Sequence, residues 1–181
     1  MKKLALSVAM LTLLAVGILS GCSSTTASPE VSDGIRKALD QAGFKDVTVS
    51  QDRDKGVVTL GGQVASEDEK ARAESIARSM AGSQVVADQI AVIPPGVEKE
   101  AKTVNSELDK GIEHNLDAAL IVNKMHDAVK YTVKNAVVTL SGEVNSQAKR
   151  DAAEKVAMGV PYVKQVVNNL QVKDQKATST Q

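Results

Sequence analysis

The chain has 181 residues, with 22 Lys and Arg against 22 Asp and Glu, so it lacks the basic excess that marks a nucleic-acid-binding domain. Phe44, Tyr131 and Tyr162 are its whole aromatic set, too few for a carbohydrate- or base-stacking platform. Cys22 is the single cysteine, which excludes an intramolecular disulfide.

At the N-terminus, Lys2 and Lys3 precede an uncharged apolar run from Leu4 to Ile18, the charged and apolar regions of an export signal. The run of about 15 residues falls short of the roughly 20 that a membrane-spanning helix needs. Leu19-Ser20-Gly21-Cys22 resembles the lipobox of bacterial lipoproteins. That resemblance implies a signal peptide over residues 1–21, cleavage before Cys22, and lipid on the Cys22 thiol and the new amino group. The small Ser20 and Gly21 suit a peptidase that must approach the backbone closely. A stray cysteine after an ordinary secretory signal is the competing reading. Ser23 stands where an inner-membrane retention signal would have Asp, which points to an outer membrane lipoprotein facing the periplasm. Cleavage leaves 160 residues with 20 basic and 22 acidic side chains. The small, polar "SSTTAS" that follows has too little apolar content to fold, so residues 22–28 read as a tether.

The first module is expected over residues 29–93. Ser28 before Pro29 predicts an N-cap with proline at the first helical position. Val31, Ile35, Ala38, Leu39 and Ala42 share one helical face, and Gly43 with Phe44 predicts a left-handed C-terminal cap. "VTVS" at 47–50 and "VVTLGG" at 57–62 are β-branched runs separated by the turn-forming "QDRDKG". Ser66 with Glu69 predicts a capping box for a helix bearing Ala73, Ile76, Ala77 and Met80, broken at Gly82. A third strand follows over 85–92.

Residues 94–107 read as a linker and helix start, with Pro94-Pro95-Gly96 as a stiff break. The helical pattern beyond it begins as early as Val97, despite Gly111, and its start is left open. The second module is expected over residues 108–172 in the same order. Leu108, Ile112, Leu116 and Leu120 supply a helix face, and Val129, Tyr131 and Val133 alternate as a strand. "KNA" turns the chain into Val137–Gly142. Ser146 caps a helix carrying Ala153, Val156, Ala157 and Val160, stopped at Pro161, and Val166–Val172 is the last strand. Residues 173–181 read as a disordered tail.

An octapeptide ties the two halves together: "VVTLGGQV" at 57–64 and "VVTLSGEV" at 137–144 share six of eight positions at an offset of 80. Strand alternation puts Val58, Leu60 and Val64 on one buried face, and likewise Val138, Leu140 and Val144. Gly62 and Gly142 share that face, as though a helix passes closely there. This octapeptide, the capped Ala-rich helix after it and "VPYVKQVVNNLQV" resemble the BON domain, named for osmotically induced and nodulation proteins of bacteria. Both halves carry the resemblance, and the whole is similar to dual-BON lipoproteins of the envelope. Two positions depart from it: Tyr162 replaces a glycine before the last strand, and Asp88 replaces an asparagine in the first half. The resemblance implies an α+β chain of two tandem αββαβ modules, each a three-stranded mixed sheet backed by two helices. It further implies binding to phospholipid surfaces or envelope proteins, support of envelope integrity, and no catalysis.

Other chemistries lack their residues. "DRDKG" at 52–56 opens like an EF-hand loop, but that loop's sixth and twelfth positions are Val57 and Gln63 rather than Gly and Glu. Gly61-Gly62 lacks dinucleotide-binding spacing. His114 and His126 match no common zinc pattern, and no serine stands in a nucleophile elbow. Neither a cofactor, a metal nor a catalytic residue is expected, and "EDEKARAE" at 67–74 reads as a solvated helix face.

Charge separates the two halves. Glu30–Val92 holds 8 basic and 11 acidic residues, and Val97–Val172 holds 10 of each. The helix after Ser66 nets −1, and the helix after Ser146 nets +1 through Lys149, Arg150 and Lys155. These three residues are the candidate phospholipid contact, with an ordinary solvated helix as the plain alternative. The rival function is a protein-interaction or chaperone-like module that engages envelope proteins.

Overall fold

The computed structural model describes residues 27–173; the signal segment, Cys22, most of the tether and the tail beyond Lys173 lie outside the described residues. The chain runs α1 (Ser32–Gln41), β1 (Val47–Asp52), β2 (Val57–Val64), α2 (Glu67–Ala81), β3 (Val85–Asp88), β4 (Ala91–Val92), α3 (Glu98–Val122), β5 (Val129–Lys134), β6 (Val137–Val144), α4 (Gln147–Met158) and β7 (Gln165–Val172). In each module a hairpin pairs antiparallel, β1 with β2 and β5 with β6. The helix that follows crosses over and returns a strand parallel to the hairpin's second strand. Both sheets are therefore mixed, and the chain is α+β with two tandem modules.

The repeated octapeptide is the central strand of each sheet. Val58, Leu60 and Val64 are buried against Ile35, Leu39, Ala73, Ala77 and Ala81. Val138, Leu140 and Val144 are buried against Ile112, Leu116, Leu120, Ala153 and Ala157. Alanine at the contact positions of α2 and α4 lets each helix lie close to its sheet. Each fully buried leucine of this kind stabilises the module by about 1.5–3 kcal/mol.

The structure departs from the sequence expectations at three places. Ser28 does not cap α1, because it is engaged elsewhere: its N–H donates to Arg53 O at 2.8 Å, and its carbonyl accepts from Arg53 Nε at 2.7 Å. The helix starts at Ser32, where the Glu30 carboxylate accepts from the Ser32 N–H, the Ser32 hydroxyl and the Asp33 N–H. Gly62 and Gly142 are not approached by a helix. They have φ of +86° and +117°, and a Cβ there would strike the carbonyl of Asp46 or Ala128 at the start of the neighbouring strand.

The expected third strand over 85–92 is broken into β3 and β4. The Asp88 side chain accepts from the Ile90 N–H at 3.1 Å and turns the chain so that Ile90 is fully buried. Gln89 still donates to Leu60 O, so pairing with β2 resumes at Ala91, and the first sheet has four strands instead of three. Within the range left open by the sequence, α3 begins at Glu98, so only Ile93–Val97 separates β4 from a 25-residue helix. Gly111, which costs about 1 kcal/mol relative to Ala inside a helix, lies on the exposed side and does not end it.

The two hairpins turn differently. Residues 53–56 make a four-residue loop, in which Asp52 accepts from the Lys55 N–H at 3.1 Å. Asn135 and Ala136 make a two-residue loop with φ of +49° and +64°, the type I′ geometry that matches strand twist. Both of their N–H groups donate to the Asp109 carboxylate at 2.8 Å, which ties the turn to α3.

Candidate lipid-contact helix and the cleft between the modules

Ser146 is extended (φ −161°, ψ 156°), and its hydroxyl accepts from the Lys149 N–H at 3.3 Å. This cap fixes where α4 begins, and so where its three basic side chains point. Lys149 and Lys155 are exposed, and neither forms an ion pair among the described residues. Six positions apart at about 100° per residue, they leave the helix some 120° from one another. Lys155 borders a shallow hollow with Asp151, Glu154, Met158 and Gly159.

Arg150 behaves differently. It is half-buried, and its Nη2 donates to Asn168 O on β7 at 3.1 Å. Its Nε is buried and has no hydrogen-bond partner among the described residues. Asn168 Nδ2 donates back to Arg150 O at 3.1 Å and to Glu154 Oε2 at 2.9 Å. The three basic residues therefore do not form one patch: two are solvated, and the third joins α4 to β7. Cys22, the candidate lipid attachment, lies outside the described residues.

The first module holds the matching group at an offset of 80. Lys70 on α2 occupies the place of Arg150, Glu74 that of Glu154, and Asp88 on β3 that of Asn168. Lys70 Nζ donates to Ile90 O at 2.8 Å and lies 3.8 Å from Asp88 Oδ2. Asp88 is the one buried charged residue among those described, 7% exposed. Burial pushes its carboxyl above the ordinary range, against the pull of Lys70 and of the Ile90 N–H. The sequence marked Asp88 as a departure from asparagine but gave no sign of its burial.

Beside Asp88 the two modules meet. Val57 and Ala87 of the first pack on Val137 and Val167 of the second, two equivalent pairs at an offset of 80. Gln165 at the start of β7 reaches across to β3: its Oε1 accepts from the Asp88 N–H at 3.0 Å, and its Nε2 donates to Val86 O at 2.7 Å. Asn135 Nδ2 donates to Gln89 O at 2.7 Å, and Lys164 pairs with Glu67 at 3.5 Å. Two cavities of about 260 Å³ and 230 Å³ flank this contact, and Lys70, Asn135 and Lys164 line both. Nothing in the sequence pattern pointed to Gln165, a polar residue at a strand start.

His126 Nε2 lies 3.1 Å from Asp117 Oδ1, which also accepts from the Tyr131 hydroxyl at 3.1 Å. Burial and that contact push the Tyr131 hydroxyl up. His114 is exposed. No group of three or more His, Cys, Asp or Glu able to hold a metal is present among the described residues.

The BON domain profile matches residues 29–94 and again 108–174. This chain belongs to the BON-domain family. Among curated proteins, the BON chain is 32% identical over 137 residues to osmotically-inducible protein Y of Escherichia coli (strain K12), covering 75% of this chain and 67% of that protein. It is 29% identical over 146 residues to an uncharacterized protein in the gshII 5′ region of Anaplasma centrale, covering 78% and 92%. Among solved structures, the C-terminal domain of CdsD, the structural protein of the type III secretion system of Chlamydia trachomatis, aligns with 80% of the BON chain. That alignment covers 66% of the CdsD chain at 14% identity with a TM-score of 0.31, too slight a likeness to carry an argument.

Proposed function

We propose that this BON protein is a lipid-anchored, periplasm-facing envelope protein that binds phospholipid surfaces and supports envelope integrity without catalysing a reaction. The observation that carries the reading is the pair Lys149 and Lys155 on α4, exposed and without ion-pair partners among the described residues. On α2, by contrast, Arg78 is paired with Glu74 at 2.6 Å, and Glu67, Asp68 and Glu69 crowd the first turn. A basic side chain near an anionic bilayer is worth about 1 kcal/mol, so two lysines alone give a weak contact.

The anchor strengthens it. Ser28 is fixed to the first hairpin through Arg53, so the length of chain from Cys22 to Ser28 limits how far the first module lies from the anchor. At roughly 3.5 Å per residue it reaches at most about 25 Å. Held that close, the second module meets headgroups at high effective concentration. Acyl chains, at about 0.8 kcal/mol per buried CH₂, provide the lasting hold.

Two measurements test the reading. Cys22→Ser releases the protein into the soluble periplasmic fraction; retention on membranes at high salt counts against the anchor. Residues 23–181 sediment with phosphatidylglycerol vesicles in a salt-dependent way. Lys149→Glu with Lys155→Glu weakens that binding at least tenfold, since each reversal removes and then opposes about 1 kcal/mol. Adding Arg150→Glu lowers stability more than it lowers binding. Vesicle binding that is absent, or unchanged in the double variant, favours instead a module that engages envelope proteins.

A further inference from the structure

Among the described residues, the specific contacts between the modules are four apolar side chains, the Gln165 and Asn135 amides and a surface ion pair, and Lys164 and Glu67 are 60% and 68% exposed in that pair. An ion pair so exposed adds little to the contact. Relative motion is the ordinary behaviour of modules joined by so little. The chain between them supplies a pivot: Pro94, Pro95 and Gly96 are all exposed, and Gly96 has φ +89° with nothing near its missing Cβ.

Gln165 is the specific element. Val86 O and Asp88 N are groups of β3 that point away from β2, since Val85 N and Gln89 N are the ones that donate inward, to Gly56 O and Leu60 O. A strand edge of this kind offers unpaired donors and acceptors to any passing chain. The primary amide of Gln165 satisfies one of each, as a neighbouring strand would.

We propose that the modules form a reversible latch, closed when Gln165 spans the β3 edge, and that Asp88 beneath it tightens the latch as the medium becomes more acidic. The charged and titratable groups around Asp88 decide the sign. From α2, Lys70 favours its charged form, while Glu67 and Glu74 oppose it. All three belong to the same module as Asp88 and stay with it when the modules part. Arg78, at the same cavity, is held by Glu74. From the second module, Gln165 and Asn135 are neutral, and Lys164 is solvated and paired with Glu67.

What changes on opening is therefore water. In the closed form Asp88 is buried and lines one cavity with Gln165, and opening that cavity hydrates it. A group whose pKa is higher in the closed form binds its proton more tightly there, so protonation favours closing and ionisation favours opening. The open-to-closed ratio changes roughly tenfold for each unit by which the two pKa values differ.

The experiment measures the distance between the modules in the chain from residue 22 onward carrying Cys22→Ser. Nitroxides at Lys37→Cys on α1 and Lys155→Cys on α4 report it by double electron–electron resonance. The expected result is one narrow distance at low pH and a second, longer population growing as the pH rises through the raised Asp88 pKa. Asp88→Asn keeps the narrow distance at every pH. Gln165→Ala shifts the ratio towards open by about tenfold at every pH, as loss of two hydrogen bonds predicts. A single narrow distance in Gln165→Ala at all pH values overturns the latch, and a pH response that survives Asp88→Asn overturns the role of Asp88. Neither substitution threatens folding: Gln165 is half-exposed, and the second module already has asparagine in the place of Asp88.

Discussion

The two modules build the same backbone from different electrostatics. In the first, a lysine and a buried carboxylate stand between helix and strand; in the second, an arginine and an amide stand there. Asp88 Oδ1 accepts from the Ile90 N–H at 3.1 Å, and Asn168 Oδ1 accepts from the Leu170 N–H at 3.3 Å. The fold therefore asks for an acceptor two residues before that N–H, and not for a charge. Lys70 and Arg150 likewise perform one task, donating to a carbonyl of the returning segment, Ile90 O between β3 and β4 and Asn168 O on β7. The charge on Asp88 is an addition of the first module, and it stands at the contact with the second.

Equivalence of the two cores is the part of this comparison with the largest expected effects. Leu60 and Leu140 are both fully buried on the central strands. Leu60→Ala and Leu140→Ala should each cost about 2–5 kcal/mol by denaturant titration, and by similar amounts. A loss below about 1 kcal/mol at either site breaks the equivalence.

Exchanging the polar groups sharpens the contrast. Asn168→Asp replaces a donor to Glu154 Oε2 and Arg150 O with a carboxylate facing a carboxylate. It should destabilise the chain by about 2 kcal/mol or more at neutral pH, with the loss shrinking as acid protonates the pair. Asp88→Asn should act oppositely. Because burial raises the Asp88 pKa above its ordinary 3.8, the folded form holds the proton more tightly than the unfolded form. The resulting penalty is absent below the ordinary value and complete above the raised one. Stability of Asp88→Asn measured against the parent should thus be level at low pH and higher at neutral pH. A gain confined to acid would contradict that sign.

The parts of this structure that were legible in the sequence are those where local chemistry and packing agree. The octapeptides alternate and lie in the sheets as their alternation says. Ser66 and Ser146 have a free N–H three residues on, and each accepts from it. Failures came where a distant group intervened. Ser28 would cap a helix if Arg53 did not hold it, and Arg150 would face solvent with its neighbours if Asn168 O did not need a donor. Such claims arise from pairings some 18 to 25 residues apart in sequence, which periodicity does not register. The contact through Gln165 spans 77 residues, and no short pattern encodes it.

Tyr162 supplies the finest test of the comparison. The first module has Gly82 at this place with φ +64°, and Tyr162 has φ +68°, so both modules carry a positive φ before the returning strand. Pro161 and Tyr162 are the central residues of a turn closed by Val163 N donating to Val160 O at 3.3 Å. Proline followed by a residue of positive φ is type II geometry, which prefers glycine at the third position. The Tyr162 side chain is 73% exposed, so little packing offsets the strain of a Cβ at positive φ. Glycine relieves about 1–2 kcal/mol of that strain but adds about 0.4–1 kcal/mol of freedom to the unfolded chain. Tyr162→Gly should therefore raise stability by about 0.5–1 kcal/mol, seen as a higher denaturant midpoint with an unchanged slope. A lower midpoint would mean that the exposed ring makes a stabilising contact in solution, and the two modules would then differ at this turn in packing as well as in residue.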